Sequence, residues 1–249
     1  MQNAIAITFD IDWAPDWAIA LCDGLCRRAG TKVTYFITHE SDILVDLKKA
    51  TDRIELGIHP NFLPGSSHGD AIGQVLATCL KMVPDAMAMR THSLVQSTRI
   101  LGEVADRTRI DVDVSLLLPF HAGLQPTDFY AGASRRRLVR LPYFWEDDIA
   151  ADWPNWLWTK APISTEGLAI YNFHPIFIAL NIDSMDQYEA LKHFLGGRFL
   201  GELTEAECAP FTNRGVGARD FLERLLQSAP TNSFQTVSAI AQNYRQSKL

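Results

Sequence analysis

No segment of this 249-residue sequence is long and apolar enough to cross a bilayer as a helix. The longest uncharged apolar run, Gly167 to Ile182, carries Asn172, His174 and Pro175 and falls short of the ~20 residues a span requires, so no membrane insertion is expected. Met1-Gln2-Asn3-Ala4 has no positive charge and runs straight into a strand-like pattern; with no secretory signal, a cytoplasmic location is the expectation. Cysteine is scarce: Cys22, Cys26, Cys79 and Cys208 are scattered without a Cys-x-x-Cys pair and read as reduced core thiols. Basic charge is in deficit, 23 Lys and Arg against 29 Asp and Glu, and the one basic run, Arg135-Arg136-Arg137, leads into an apolar strand. No nucleic-acid partner is expected from a net charge of −6, since phosphate binding needs a basic face.

What remains is ordinary globular composition, 47% hydrophobic and 21% charged, able to bury a full core. Short β-branched runs alternate with helical patterns from end to end, as in βα units around a parallel sheet or barrel. Strands are predicted at Ala4–Phe9, Lys32–Ile37, Arg53–Ile58, Ala86–Met89, Asp111–Leu118, Arg137–Phe144, Leu168–Phe173 and Ser233–Val237. A first helix starts at Pro15-Asp16 and stops at Gly30; others are predicted over Ser41–Ala50, Asp70–Met82, Thr98–Arg107, Asp183–Leu195 and Ala218–Gln227. No repeat or low-complexity linker divides the chain, so residues 1–249 are expected to form one domain. Two stretches, Pro119–Arg136 and Glu146–Glu166, are long for connections. Trp145, Trp153, Trp156 and Trp158, four of the six tryptophans, fall in or beside the second, suiting either sugar stacking or a hydrophobic lid.

Polar, metal-competent residues gather at the predicted strand ends. Thr8-Phe9 leads into Asp10-Ile11-Asp12, Gly57-Ile58 into His59, Ala88-Met89 into Arg90-Thr91-His92, Phe144-Trp145 into Glu146-Asp147-Asp148, and Asn172-Phe173 into His174-Pro175. In a parallel barrel all strand C-termini open on one face, where such folds build their sites. Asp10 and Asp12 have period-two spacing, so a continuing strand would project both to one side, one as metal ligand and one as free base. Neutral His with Asp suits Zn²⁺ or a neighbouring divalent ion. A Mg²⁺ phosphoryl-transfer site would use paired aspartates too, but no glycine-rich cradle or Walker-type lysine accompanies them.

At these residues the chain resembles the polysaccharide deacetylases, the NodB-homology or carbohydrate esterase family 4 group. Thr8-Phe9-Asp10-Ile11-Asp12 is similar to that family's Thr-Phe-Asp-Asp motif with Ile inserted, and Glu55-Leu56-Gly57-Ile58-His59 to the segment that opens its His-x-x-x-His pair. Arg90 stands at the arginine of its third motif, Trp145 to Asp148 resembles its fourth, Phe173-His174 its fifth, and Phe234-Gln235-Thr236-Val237-Ser238 its closing segment. The matches come in family order. The resemblance implies an α/β fold, a single distorted parallel (β/α) barrel of about seven strands, and a metal-dependent hydrolase that removes acetyl from an acetamido sugar or a surface-polysaccharide precursor.

It also implies roles. Asp12 and His59 would hold a divalent ion, Zn²⁺ above others. Asp10 would be the base, oriented by Arg90, and His174 the acid, its tautomer fixed by Asp147 or Asp148. The family's second histidine would fall at Leu63, which cannot bind metal, so His68 in the turn-rich loop that follows is expected as third ligand, ahead of His92. His92 and Trp145 are then expected to touch the carbohydrate, and His39, His121 and His193 lie outside the pattern; Arg219, after Gly215-Val216-Gly217, is read as reaching a substrate carboxylate or phosphate, or else as capping a helix. Two other readings stay open: hydrolysis of a small cyclic amide or ureide, which needs a closed pocket, and a barrel that binds carbohydrate without turnover. Neither the sugar nor the oligomeric state is legible.

Overall fold

Residues 3–160, 166–228 and 233–248 are described by the computed structural model. Its strands are β1 (Ala4–Asp10), β2 (Val33–Ile37), β3 (Ile54–Ile58), β4 (Ala88–Met89), β5 (Val112–Asp113), β6 (Thr127–Ala131), β7 (Arg136–Arg140), β8 (Trp145–Glu146) and β9 (Leu168–Phe173). Every residue of β2 and β9 is buried, so these segments read as continuous apolar runs, as strands covered on both faces must. The order across the sheet is β6-β7-β5-β4-β3-β2-β1-β9-β8, parallel throughout except for β6, which runs antiparallel to β7.

The sheet curls toward a barrel at residues 141–146. Tyr143 pairs in parallel with Leu117, receiving the Leu118 N–H at 2.9 Å and giving its own N–H to Leu116 O at 2.9 Å, while the next two residues, β8, pair with β9. That short segment stitches the β5 flank to the β9 flank.

Around the sheet lie α1 (Asp16–Arg28), α2 (Ile43–Leu47), α3 (Ile72–Met82), α4 (Thr98–Arg107), α5 (Asp147–Asp152), α6 (Pro175–Leu180), α7 (Met185–Leu195), α8 (Glu205–Cys208), α9 (Ala218–Ser228) and α10 (Val237–Gln246). None is long and apolar enough to cross a membrane. All four cysteines are buried free thiols.

Several sequence expectations change. Nine strands are present among the described residues where about seven were expected, because the supposed connection 119–136 contains β6 and a separate short strand, β8, follows Phe144. The strand expected at Ser233–Val237 is a single bridge, Ile5 to Phe234; Thr236 then caps α10 by accepting the Ala239 N–H. α6 escaped notice because all six of its residues are buried, leaving no polar face to set a helical period. Residues 161–165, in the middle of the second long stretch, lie outside the described residues.

Candidate functional site

Parallel strands carry their C-terminal residues to one rim, and that rim holds Asp10, His59, Arg90, Glu146 and His174. β1 stops at Asp10, so the straight continuation supposed from the Asp-x-Asp spacing does not exist. The chain instead turns through the left-handed region at Asp12 (φ 36°) and Trp13 (φ 55°). Such residues carry strain of ~1–3 kcal/mol each and persist only where the surroundings over-determine them. Here Trp13 N–H donates to Thr38 Oγ1 at 3.0 Å and Ala14 N–H to Ile11 O at 2.7 Å.

The turn aims Asp12 at two imidazoles. Asp12 Oδ1 lies 3.2 Å from His59 Nε2 and 3.3 Å from His92 Nδ1, which are themselves 3.3 Å apart. Ligands at ~2.0–2.1 Å from a tetrahedral zinc are separated by about this edge length. Asp12 Oδ1 is buried without a hydrogen-bond partner, as expected of an oxygen reserved for a cation. Burial raises the Asp12 carboxyl, but His59, His92 and His174 outweigh it and hold the group well below the ordinary carboxylate range. Two other clusters of metal-competent atoms occur among the described residues, Asp10 with Glu146 and His174, and Asp147 with Asp148 and His174. The first faces the Arg90 guanidinium and the second has His174 Nδ1 committed to Asp147, so neither suits a cation as well.

His68 does not join them, which corrects the sequence expectation. Its Nδ1 accepts the Asn61 N–H at 3.0 Å and its Nε2 donates to Thr38 O at 2.6 Å, leaving no nitrogen free. His68 braces the loop after β3, and it is His92 that stands beside Asp12 and His59. Leu63, at the family's second histidine position, is exposed.

Asp10 is gripped at both oxygens. Arg90 Nη1 donates to Oδ1 at 3.0 Å and Asn172 Nδ2 to Oδ2 at 2.9 Å. Arg90 is fully buried between the rings of Phe36 and Tyr143, 4.7 and 4.3 Å from their centroids, and its Nε donates to Val114 O. Gly57 permits this stack, since a Cβ there would stand 2.7 Å from Phe36 Cδ1 and 2.8 Å from Ala88 O. Asn172 also accepts from Thr8 Oγ1 and Arg90 and donates to Glu146 Oε1 at 2.7 Å; Tyr143 OH donates to Glu146 Oε2 at 3.1 Å. Burial and then the neighbouring Asp148 raise Glu146. Sequence reasoning missed Asn172 and named Glu146 only as a strand-end acid without a role. The signal for Asn172 was a lone amide inside a wholly apolar strand, a placement tolerated only when fully hydrogen-bonded.

On the other side, His174 Nδ1 meets Asp147 Oδ1 at 2.6 Å, and the His174 N–H donates to Asp147 Oδ2 at 2.8 Å. Asp147 therefore orients the ring, while Asp148 Oδ1 accepts the Ile149 N–H within α5. Nε2 points toward Asp12, 3.7 Å from its Oδ2. Burial lowers His174, but Asp147, Asp148 and Asp12 reverse this and raise it well above its ordinary value.

Two expected substrate contacts are corrected. Trp145 is 1% exposed and stacks on Phe221 with centroids 4.6 Å apart, so it belongs to the core. Trp145→Ala should lower stability by about 3–5 kcal/mol in denaturant unfolding, a core truncation rather than a binding defect. Arg219 donates to Ile178 O at 3.1 Å and Ala179 O at 2.9 Å, closing the carbonyl end of α6.

The family model for WbmS-like polysaccharide deacetylases matches residues 7–192. Among solved structures the chain is similar to a Bordetella bronchiseptica protein assigned as a polysaccharide deacetylase involved in O-antigen biosynthesis, with 31% identity over 90% of each chain and a TM-score of 0.76. It is also similar to the Xyl-CE4 domain of a multidomain xylanase from the hindgut metagenome of Trinervitermes trinervoides, at 12% identity over 98% of this chain and 92% of that one, with a TM-score of 0.52. That second likeness is one of fold. Curated proteins gave no match.

Proposed function

Since the chain belongs to the WbmS-like polysaccharide deacetylase family, we propose that it is a single catalytic domain hydrolysing the N-acetyl group of an acetamido sugar in a surface polysaccharide or its precursor. The Bordetella relative's assignment to O-antigen biosynthesis supports that substrate class. The observation that carries the reading is the Asp12–His59–His92 triangle with edges of 3.2 to 3.3 Å, flanked by a doubly held carboxylate and a carboxylate-backed imidazole.

A divalent ion held by Asp12, His59 and His92, most simply Zn²⁺, would supply Lewis acidity that lowers the pKa of water and polarises an amide carbonyl. Asp10 then takes the proton of the attacking water, its carboxylate fixed by Arg90 and Asn172. His174 Nε2 gives a proton to the departing amine, with Asp147 holding Nδ1 so that the proton to be donated faces the site. A spare base beside the metal ligands has no use in a module that only binds.

The direct test is acetate release from N-acetylated hexosamines and their oligomers. Release should disappear after dialysis against a chelator and return with Zn²⁺; release unaffected by the chelator would overturn the metal-dependent reading. A further outcome concerns pH. His174 acts protonated, so activity is present below its pKa and lost as pH rises through it. Asp147 is a cause of its raised pKa, so Asp147→Asn should move the alkaline limb of the kcat profile to lower pH. An unmoved limb would remove His174 from the role of acid.

A further inference from the structure

Around Asp10 the side chains close into a ring. Arg90 Nη1 and Asn172 Nδ2 donate to its two oxygens at 3.0 and 2.9 Å, and from each of these donors the contacts run on to the same further residue. Asn172 Nδ2 also donates to Glu146 Oε1 at 2.7 Å. The Tyr143 ring, 4.3 Å from the Arg90 guanidinium, donates its hydroxyl to Glu146 Oε2 at 3.1 Å. Glu146 thus holds both arms that hold the base. Asn172 Oδ1 accepts from Thr8 and Arg90, so a flipped amide would set its oxygen against two carboxylates and its NH₂ against a guanidinium. Tyr143 and Glu146 belong to the short segment that closes the sheet, where the Tyr143 backbone is tied to Leu116 and Leu118 and Glu146 pairs with Asn172 across β8 and β9.

Resting on the deacetylase reading above, we infer that Glu146 is a positioning residue for Asp10: its carboxyl fixes the Asn172 amide and the Tyr143 ring, and through them the place of the base. A base must lie within hydrogen-bond reach of the water it deprotonates, and a misplacement of ~1 Å costs up to ~10²-fold. Glu146 does not take that proton itself. Both its oxygens are engaged by donors, and the residue is 8% exposed. Burial and Asp148 raise its carboxyl, so its contribution lies in hydrogen-bond geometry more than in fixed negative charge. Glutamine can supply that geometry, with an oxygen for the Asn172 N–H and an N–H that the Tyr143 hydroxyl can accept. Alanine can supply neither contact.

The test pairs acetate-release kinetics of the zinc-loaded protein with a measurement that needs no turnover. Glu146→Ala should keep its metal and hold KM within about twofold while kcat falls at least ~10-fold, and Glu146→Gln should recover most of that loss. Tyr143→Phe keeps the ring over Arg90, loses only the hydroxyl, and should lower kcat by a smaller factor. In NMR spectra the Asn172 side-chain amide protons, identified by their absence from Asn172→Leu, should exchange with solvent at least ~10-fold faster in Glu146→Ala than in the wild type. Unchanged exchange, wild-type kcat in metal-loaded Glu146→Ala, or a loss that appears in KM instead overturns the inference. So does Glu146→Gln as slow as Glu146→Ala, which would make Glu146 itself the acid or base. Wild-type kcat in Tyr143→Phe overturns it even where Glu146→Ala fails to fold. A wild type that releases no acetate, with faster Asn172 exchange in Glu146→Ala, would instead sink the deacetylase reading and leave the hold of Glu146 on Asn172 standing.

Discussion

Asp10→Asn is expected to keep its metal and lose at least ~10²-fold in kcat, the usual consequence of removing a general base. The carboxylate is held simultaneously by Arg90 and Asn172, at 3.0 and 2.9 Å, and a neutral amide cannot accept the proton that hydrolysis releases. The substitution also leaves the buried Arg90 without its countercharge and sets two amide donors against each other at Asn172, so a stability loss of about 3–5 kcal/mol should accompany it. Metal content and thermal unfolding measured beside kcat separate the effects. Retention of wild-type kcat with metal bound would exclude Asp10 as the base.

His92→Ala should strip the metal, lowering affinity by ~10²-fold or more, alongside His59→Ala and Asp12→Asn, because three protein ligands are the minimum of a catalytic zinc site. His68→Ala should keep the ion. Its cost falls on the fold instead: Thr38 O and the Asn61 N–H lose their partners, at about 1–3 kcal/mol for each buried group left unpaired. Metal content of the His59, His68 and His92 variants after identical dialysis decides the matter. Loss from His68→Ala with retention in His92→Ala would return the third position to the loop before Gly69.

That reversal shows where the sequence runs out. The identity of His68 as a spare histidine in a turn-rich loop is visible in the chain, but a ring can serve a metal only if a nitrogen is free, and whether backbone groups have claimed both depends on how the loop folds. His92 was visible as well, three residues past a buried strand end, yet its approach to His59 depends on β3 and β4 being neighbours in the sheet. Trp145 and Arg219 failed for a related reason: an indole or a guanidinium is competent to touch a sugar, and only packing reveals that Phe221 and the α6 carbonyls already occupy them.

What the sequence determined by itself is local or periodic. Buried parallel strands announce themselves as continuous apolar runs, amphipathic helices such as α4 (Thr98–Arg107) by their period and their serine cap, and the rim chemistry by acids, histidines and an arginine placed where those runs stop. These features need no knowledge of which segments touch. Tertiary structure alone decided the left-handed turn that brings Asp12 beside His59, the closure of the sheet through Tyr143, and the clamp of Asn172 on Asp10. Each joins residues far apart in the chain, and hydrogen-bond and metal geometry at ~3 Å is fixed by the packing of whole elements, which no single segment encodes.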